Sequence, residues 1–289
     1  MADATPTPLS LKSSIGPRGR ALLQASSARL HRRLPRRLAA SSFALRLELI
    51  GQGSAIRPQK PGPLWRSWAN TALQTREDVD LAIREVAACG LAPHPDRPKN
   101  WDRLVALGAI LERLPRDAAI LDAGSTQSSR LLPWLYLYGY RRLHGVDLTY
   151  KRPIRRGPIR YEHMDLTRTT FPDQSFDAIA CLSVIEHGVP LDAYVREANR
   201  LLRPGGLLIT STDFWCSPVA TGGQEAYGVP IKIFTPAEIE QCVALALEAG
   251  LRPTGPLTLE CTERAVNWSR FGLDYTFVNF VLEKARSLS

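Results

Sequence analysis

The sequence predicts an α/β chain: a doubly wound, mostly parallel sheet with helices on both faces, preceded by a helical N-terminal extension. Three observations carry this. A short apolar run from Ala119 ends in the turn Asp122-Ala123-Gly124 and leads into a helical pattern over 129–138. About twenty residues later, the spacing of a βαβ unit, a second run Leu143-His144-Gly145-Val146 ends in the acidic Asp147. Further runs begin at Ser175-Phe176-Asp177 and at Leu207, and a capped helix follows at Thr235.

In chain order, residues 1–20 are rich in Pro, Ser and Gly and lack the apolar content needed to fold. Residues 21–50 read as interrupted helix in which leucines alternate with arginines, broken at Pro35. A Pro- and Gly-rich linker spans 51–66, so the expected division is a basic arm and linker at 1–66, a helical cap at 67–118 and a catalytic domain at 119–289. Thr75-Arg76-Glu77-Asp78 opens a helix that closes at Gly90, and Asn100 is the expected cap of a helix reaching Leu114. After Asp147 come Asp165-Leu166, a fourth strand ending near Ser183, and a fifth strand Leu207–Ser211. Thr235, Pro236 and Glu238 occupy the cap, first and third positions of a helix that stops at Gly250. Two closing strands are expected, Leu257–Cys261 and Asp274–Leu282.

The turn at Gly124 has a chemistry of its own. A glycine lets the backbone turn sharply and approach a ligand closely. Free N–H groups at the next helix start can donate to a carboxylate or phosphate, and the Asp147 carboxylate can accept both ribose hydroxyls. A pyrophosphate would call for further glycines, but Ser125, Thr126, Gln127, Ser128 and Ser129 follow, which argues against NAD and FAD. At this point a bare strand-to-helix turn without a ligand explains Asp122 and Gly124 equally well.

The next segment separates the two. The Asp122-Ala123-Gly124 turn, Asp147, Asp165-Leu166, Ser175-Phe176-Asp177, Val184-Ile185-Glu186-His187 and Leu202-Arg203-Pro204-Gly205-Gly206 occur in one order over about 120–281. In that order they resemble the class I S-adenosylmethionine-dependent methyltransferases, a Rossmann-like family whose last strand inserts antiparallel beside the fifth. The resemblance implies S-adenosyl-L-methionine as cofactor. It places Asp122, Gly124 and Ser125 under the methionine part, Asp147 on the ribose and Asp165 on the adenine amino group. Leu148 and Leu166 would sandwich the adenine, and Leu182 with Ser183 would floor the sulfonium end. Ser125 and Gln127 stand where family members commonly carry glycines, so the grip on the amino-acid end departs from the pattern.

Methyl transfer needs no protein nucleophile, but an oxygen acceptor must lose a proton. His187 is the first candidate base, because it follows the fourth strand and its ordinary pKa suits the task; Glu186 and Asp213 are next. Some relatives bind a divalent metal through Glu-x-x-Glu-His, of which Glu186-His187 match the end while Ser183 replaces the first Glu; no metal is expected. Lys99 and Trp101 are candidates for the pocket roof, with core packing the commoner fate of a tryptophan. The loop 212–234, with Asp213, Phe214, Trp215, Gln224, Glu225, Tyr227 and Lys232, is the expected acceptor loop. Lys99-Asn100-Trp101-Asp102 and Asp213-Phe214-Trp215 also resemble methyltransferases of surface-polysaccharide biosynthesis, which implies a small-molecule or glycan acceptor.

Charge divides the chain sharply. Residues 1–66 hold twelve Lys or Arg against Asp3 and Glu48, whereas the remaining 223 residues hold 25 basic against 26 acidic. The basic excess belongs to the arm, not to a folded groove, which argues against nucleic acid; the arm reads first as a solvated segment against the domain and alternatively as a peripheral contact with an anionic membrane. Five cysteines without a C-x-x-C pair argue against a disulfide framework or zinc site. With no spanning apolar run and no signal segment, a cytoplasmic enzyme is expected, although the Arg- and Ser-rich arm also fits a transit peptide. The competing functions are a non-catalytic SAM-binding or partner-binding module tethered by the arm, and another Rossmann-type nucleotide enzyme.

Overall fold

A computed structural model of the chain describes residues 40–286. Among these, helices α1 (Ser42–Gly51), α2 (Leu64–Trp68), α3 (Arg76–Ala88) and α4 (Lys99–Arg113) precede the first strand. Then follow β1 (Ala119–Ala123), α5 (Leu131–Leu137), β2 (Arg142–Val146), the hairpin β3 (Ile154–Arg156) and β4 (Ile159–Glu162), β5 (Phe176–Leu182), α6 (Leu191–Leu201) and β6 (Leu202–Phe214). The chain closes with a small ribbon, β7 (Glu225–Ala226) and β8 (Val229–Pro230), then α7 (Pro236–Glu248), β9 (Leu251–Pro253), β10 (Val266–Trp268) and β11 (Leu273–Lys284).

The helix starts follow from local chemistry. Thr75 and Asp78 form a reciprocal capping box, with Thr75 Oγ1 accepting from Asp78 N and Asp78 Oδ2 accepting from Thr75 N, each at 3.1 Å. Thr235 and Glu238 repeat the device ahead of α7, with Pro236 at its first position. Asn100 is not the cap of α4. The helix begins at Lys99, and Asn100 turns inward to fasten the preceding loop, accepting from His94 N at 2.7 Å and donating to His94 O and Arg97 O.

The sheet runs β10-β11-β6-β5-β1-β2-β4-β3. Its centre, β6-β5-β1-β2-β4, is parallel, and β11 pairs antiparallel with β6. Strand alternation sorts the core into two layers. Ile120, Ala178, Leu207, Ile209 and Val281 pack under α2–α5, while Leu121, Ile179, Leu208, Phe280 and Leu282 pack against α6 and α7. The expected division at 66 falls inside α2, whose Trp65 and Trp68 are buried, and the preceding segment sends Leu45 and Leu49 of α1 into the same core.

Two strand expectations change. The fifth strand is β6 and is longer than Leu207–Ser211, because eight consecutive residues from Leu207 to Phe214 pair with β11. Leu257–Cys261 is not a strand. β9, the bridge from Ala72 to Val278, and β10 share the outer edge of β11 between them. The 254–265 segment is displaced onto the chain leaving α2, where Thr258 N donates to Asn70 O and Glu263 N to Gln74 O.

Candidate functional site

In a parallel sheet the loops at the carboxyl ends of the strands gather on one edge, and ligands bind there. Five of these ends carry the expected cofactor and candidate base residues.

β1 delivers Asp122, which is buried and accepts from Ser129 Oγ at 2.9 Å. Burial raises its pKa, opposed by hydrogen bonds from Ser125 and Ser129 and by the charge of Arg103. Gly124 adopts φ +78°, and a Cβ there would lie 2.4 Å from Val184 Cγ2, so both backbone angle and space require glycine. Ser125 is buried, and its carbonyl accepts from Tyr150 Oη at 2.9 Å.

The segments that follow β2 and β4 carry the same tripeptide. In Asp147-Leu148-Thr149, Asp147 Oδ1 accepts from Thr149 N at 2.8 Å and from the Thr149 hydroxyl. In Asp165-Leu166-Thr167, Asp165 Oδ1 accepts from Thr167 N at 2.8 Å and Thr167 Oγ1 at 2.7 Å, which lowers its pKa. Each carboxylate is thus locked through one oxygen, and its Oδ2 makes none of these bonds. Leu148 is 64% exposed beside an open cleft lined by Tyr150, Lys151, Glu162 and Met164, and Leu166 is half-buried.

β5 ends at Leu182, which is buried, and Ser183, which adopts φ +56° without being glycine. Such strain persists only where surroundings impose it. Here Ser183 N donates to Ser211 O at 3.0 Å, and Ser183 Oγ and Ser211 Oγ both reach Asp102 Oδ2, at 3.4 and 2.8 Å. Asp102 comes from α4, is fully buried, and pairs with Arg103 at 2.9 Å. Arg103 Nε is buried with no partner.

The acids beyond Ser183 behave differently. Glu186 is 2% exposed, accepts from Thr212 Oγ1 at 2.9 Å, and is pushed by burial to a pKa of about 7. Asp213 is also buried, and desolvation together with the Glu186 charge raises its pKa well above the usual range, against a hydrogen bond from Tyr275. His187 is half-buried, with its pKa lowered by burial and then by Lys99. Its ring meets Tyr227 edge-on at 5.2 Å, and Tyr227, at the turn of the β7–β8 ribbon, is 84% exposed. Among the described residues no three His, Cys, Asp or Glu side chains gather as a metal-ligand set.

Of the expected roof residues, Lys99 lies close enough to influence Glu186, His187 and Asp213. Trp101 is fully buried, 6.5 Å from Trp68, and belongs to the core. The acceptor loop starts later than Thr212, because β6 runs to Phe214. Phe214 and Phe234 are buried core rings, whereas Gln224, Glu225 and Tyr227 face solvent.

Sequence reasoning did not single out Arg103 or Ser211 and treated Asp102 only as part of a motif. The available signal was α4 itself: the acid–base pair Asp102-Arg103 stands directly ahead of an apolar run from Leu104 to Leu111.

Residues 121–210 match the family model described as a methyltransferase domain. Comparison with curated proteins gives no match. Among solved structures, an S-adenosylmethionine-dependent methyltransferase from Mesorhizobium loti is 17% identical over 62% of this chain and 97% of its own, with TM-score 0.45. A geranyl diphosphate C-methyltransferase from Streptomyces coelicolor is 14% identical over 91% and 98%, with TM-score 0.49. The Burkholderia thailandensis 1,6-didemethyltoxoflavin-N1-methyltransferase is 19% identical over 73% and 87%, with TM-score 0.45. At scores this low the likenesses carry no weight, and none of the three points to surface-polysaccharide biosynthesis. Residues 121–210 thus carry a match to a methyltransferase domain, and the motifs within and around them stand in the order of the class I S-adenosylmethionine-dependent methyltransferases.

Proposed function

We propose that the chain transfers a methyl group from S-adenosylmethionine to an oxygen of a small-molecule or glycan acceptor. The observation that carries the cofactor half is the pair of Asp-Leu-Thr turns, each presenting a carboxylate fixed through Oδ1 beside an apolar Leu. Asp147 Oδ2 suits the ribose hydroxyls, Asp165 Oδ2 the adenine amino group, and Leu148 and Leu166 the two faces of the base. The orphaned Nε of Arg103 is the natural partner for the methionine carboxylate, compensating for the glycines that Ser125 and Gln127 replace. Asp122, Gly124, Leu182 and Ser183 then border the amino-acid and sulfonium end.

When bound, the cofactor supplies a methyl group on a cationic sulfonium. The chain's task is to hold an acceptor in line and to remove its proton. His187 fits that task better than its neighbours. Its lowered pKa keeps the imidazole neutral at pH 7, and it is half-open to solvent. Glu186 and Asp213 are sealed from water and act behind it, as a protonatable pair that holds the end of β6. Tyr227 and Gln224 offer a stacking face and an amide to the acceptor.

Thermal shift with S-adenosylhomocysteine, NAD and ATP tests the cofactor half. Only the first should raise the melting temperature, since a ligand that binds the folded state alone stabilises it; stabilisation by NAD instead would reject the reading. Transfer of labelled methyl to a panel of hydroxylated acceptors tests the rest, and label appearing only on nitrogen or carbon would reject the oxygen assignment.

A further inference from the structure

We propose that α1 and the basic chain around it form a docking surface for an anionic lipid membrane. The inference is independent of methyl transfer.

α1 is apolar on two sides. Ala44, Leu45 and Leu49 are buried in the core. Phe43, Leu47 and Ile50, at spacings of four and three, lie 67%, 42% and 36% exposed on the other side, and Ile56 just beyond the helix is 57% exposed. An apolar stripe left on the open side of a helix whose other side is already buried marks an interaction face. Of the seven large apolar residues exposed among the described residues, these four fall within positions 43–56.

Positive charge frames the stripe. Arg46 donates through Nη2 to Ile56 O at 3.0 Å, which holds Ile56 alongside the helix, and exposed Arg57 and Lys60 follow. At the other end Gly157 N donates to Ala40 O at 2.8 Å, and exposed Arg155 is fastened to the same turn through Gly157 O. The one acid of α1, Glu48, is paired with Arg156. Residues 1–39, which lead directly into this end, carry eight Lys or Arg against Asp3 alone. An apolar stripe rimmed by cations matches the boundary between acyl chains and anionic headgroups. A nucleic acid would match the charge and leave the stripe in water, and a second copy would bring the same positive charge against itself. No helix among the described residues is long and apolar enough to cross a membrane, so the contact is peripheral.

The full chain, mixed with phosphatidylcholine vesicles with or without phosphatidylserine and floated on a density gradient, tests this. It should float with the anionic vesicles at physiological salt, much less with neutral ones, and be released by high salt as the charges are screened. The triple variant Phe43→Ser, Leu47→Ser, Ile50→Ser should lose roughly tenfold or more in partition with an unchanged circular dichroism spectrum. A second variant, Arg57→Glu with Lys60→Glu, should lose a similar factor, about fivefold or more for each basic residue removed near the surface. Equal flotation of the variants, no flotation of the wild type, tighter binding to duplex DNA that the triple variant retains, or a scattering mass that falls from dimer to monomer in the triple variant would each overturn the proposal.

Discussion

The two halves of the sheet's functional edge use the same residue type in opposite ways. At β2 and β4, Asp147 and Asp165 stay near solvent, and short turn hydrogen bonds from threonines fix one oxygen of each. Across β5 and β6, Glu186 and Asp213 are sealed among Thr212, Tyr275 and each other, and burial pushes their pKa values up. An exposed, hydrogen-bonded carboxylate accepts from hydroxyl and amino groups; a buried one at neutral pH can hold a proton. On the function proposed above, one edge offers an anionic side for the nucleoside and a side for proton handling, with Ser183 and Asp102 at the seam. Solvation, not residue identity, makes the difference.

The largest test strikes the seam. Gly124→Ala would meet both φ +78° and Val184 at 2.4 Å. Strain at positive φ and overpacking each cost about 1–3 kcal/mol, so the variant should lose about 2–4 kcal/mol of stability by urea unfolding and most of its S-adenosylhomocysteine affinity by calorimetry. Adding Val184→Ala should recover the packing share but not the backbone share. Full recovery would show that Gly124 is needed for space alone.

Next comes the proton-handling side. His187→Ala should reduce turnover by roughly a hundredfold with little loss of cofactor affinity. Because burial and Lys99 lower the pKa of His187, the acid limb of the kcat/KM profile should lie below 6.5, its ordinary value. Turnover near wild type in His187→Ala would leave the residue structural and remove the contrast between the halves.

The sequence reading reached the halves unequally, for a physical reason. Strand ends and turns are local: Asp122, Gly124 and Asp147 each sit where a short apolar run stops, so their place at the sheet edge could be read from spacing, while Asp165 was placed by the family resemblance. The capping boxes at Thr75 and Thr235 were legible for the same reason. What depends on distant partners was not. Leu257–Cys261 has the composition of a strand but loses the sheet position to three other segments that compete for the edge of β11. Asn100 has the side chain of a cap and spends it on His94 and Arg97. Arg103 and Asp102 become site residues only because α4 crosses the ends of β5 and β6, a contact between residues about eighty to a hundred positions apart, which no local pattern reports.

On the anionic side, Asp147→Ala should weaken S-adenosylhomocysteine by about 1–3 kcal/mol through loss of charge-assisted bonds. Asp165→Ala should cost less, about 1 kcal/mol, because the partner there is one neutral amino group. Unchanged calorimetric affinity for Asp147→Ala would break the ribose assignment, and a larger loss for Asp165→Ala would exchange the two roles.

The last test concerns Glu186, and its sign distinguishes a buried protonated acid from an ordinary one. In the unfolded chain Glu186 ionises near 4.5, whereas in the folded protein it keeps its proton up to about 7. Between those values the folded state binds the extra proton, so this residue's contribution to stability is full below 4.5 and declines as pH rises toward 7. Glu186→Gln removes the titration while leaving an amide oxygen to accept from Thr212 Oγ1. Its melting temperature should therefore match wild type near the acid end of that window and exceed it at pH 7. Asp213 shares the field of Glu186, so the two titrate as a unit and the Gln variant should also bring Asp213 down toward the normal range. Parallel melting curves for the two proteins across the window would mean that Glu186 is ionised like any surface acid, and the two halves of the edge would then be chemically alike.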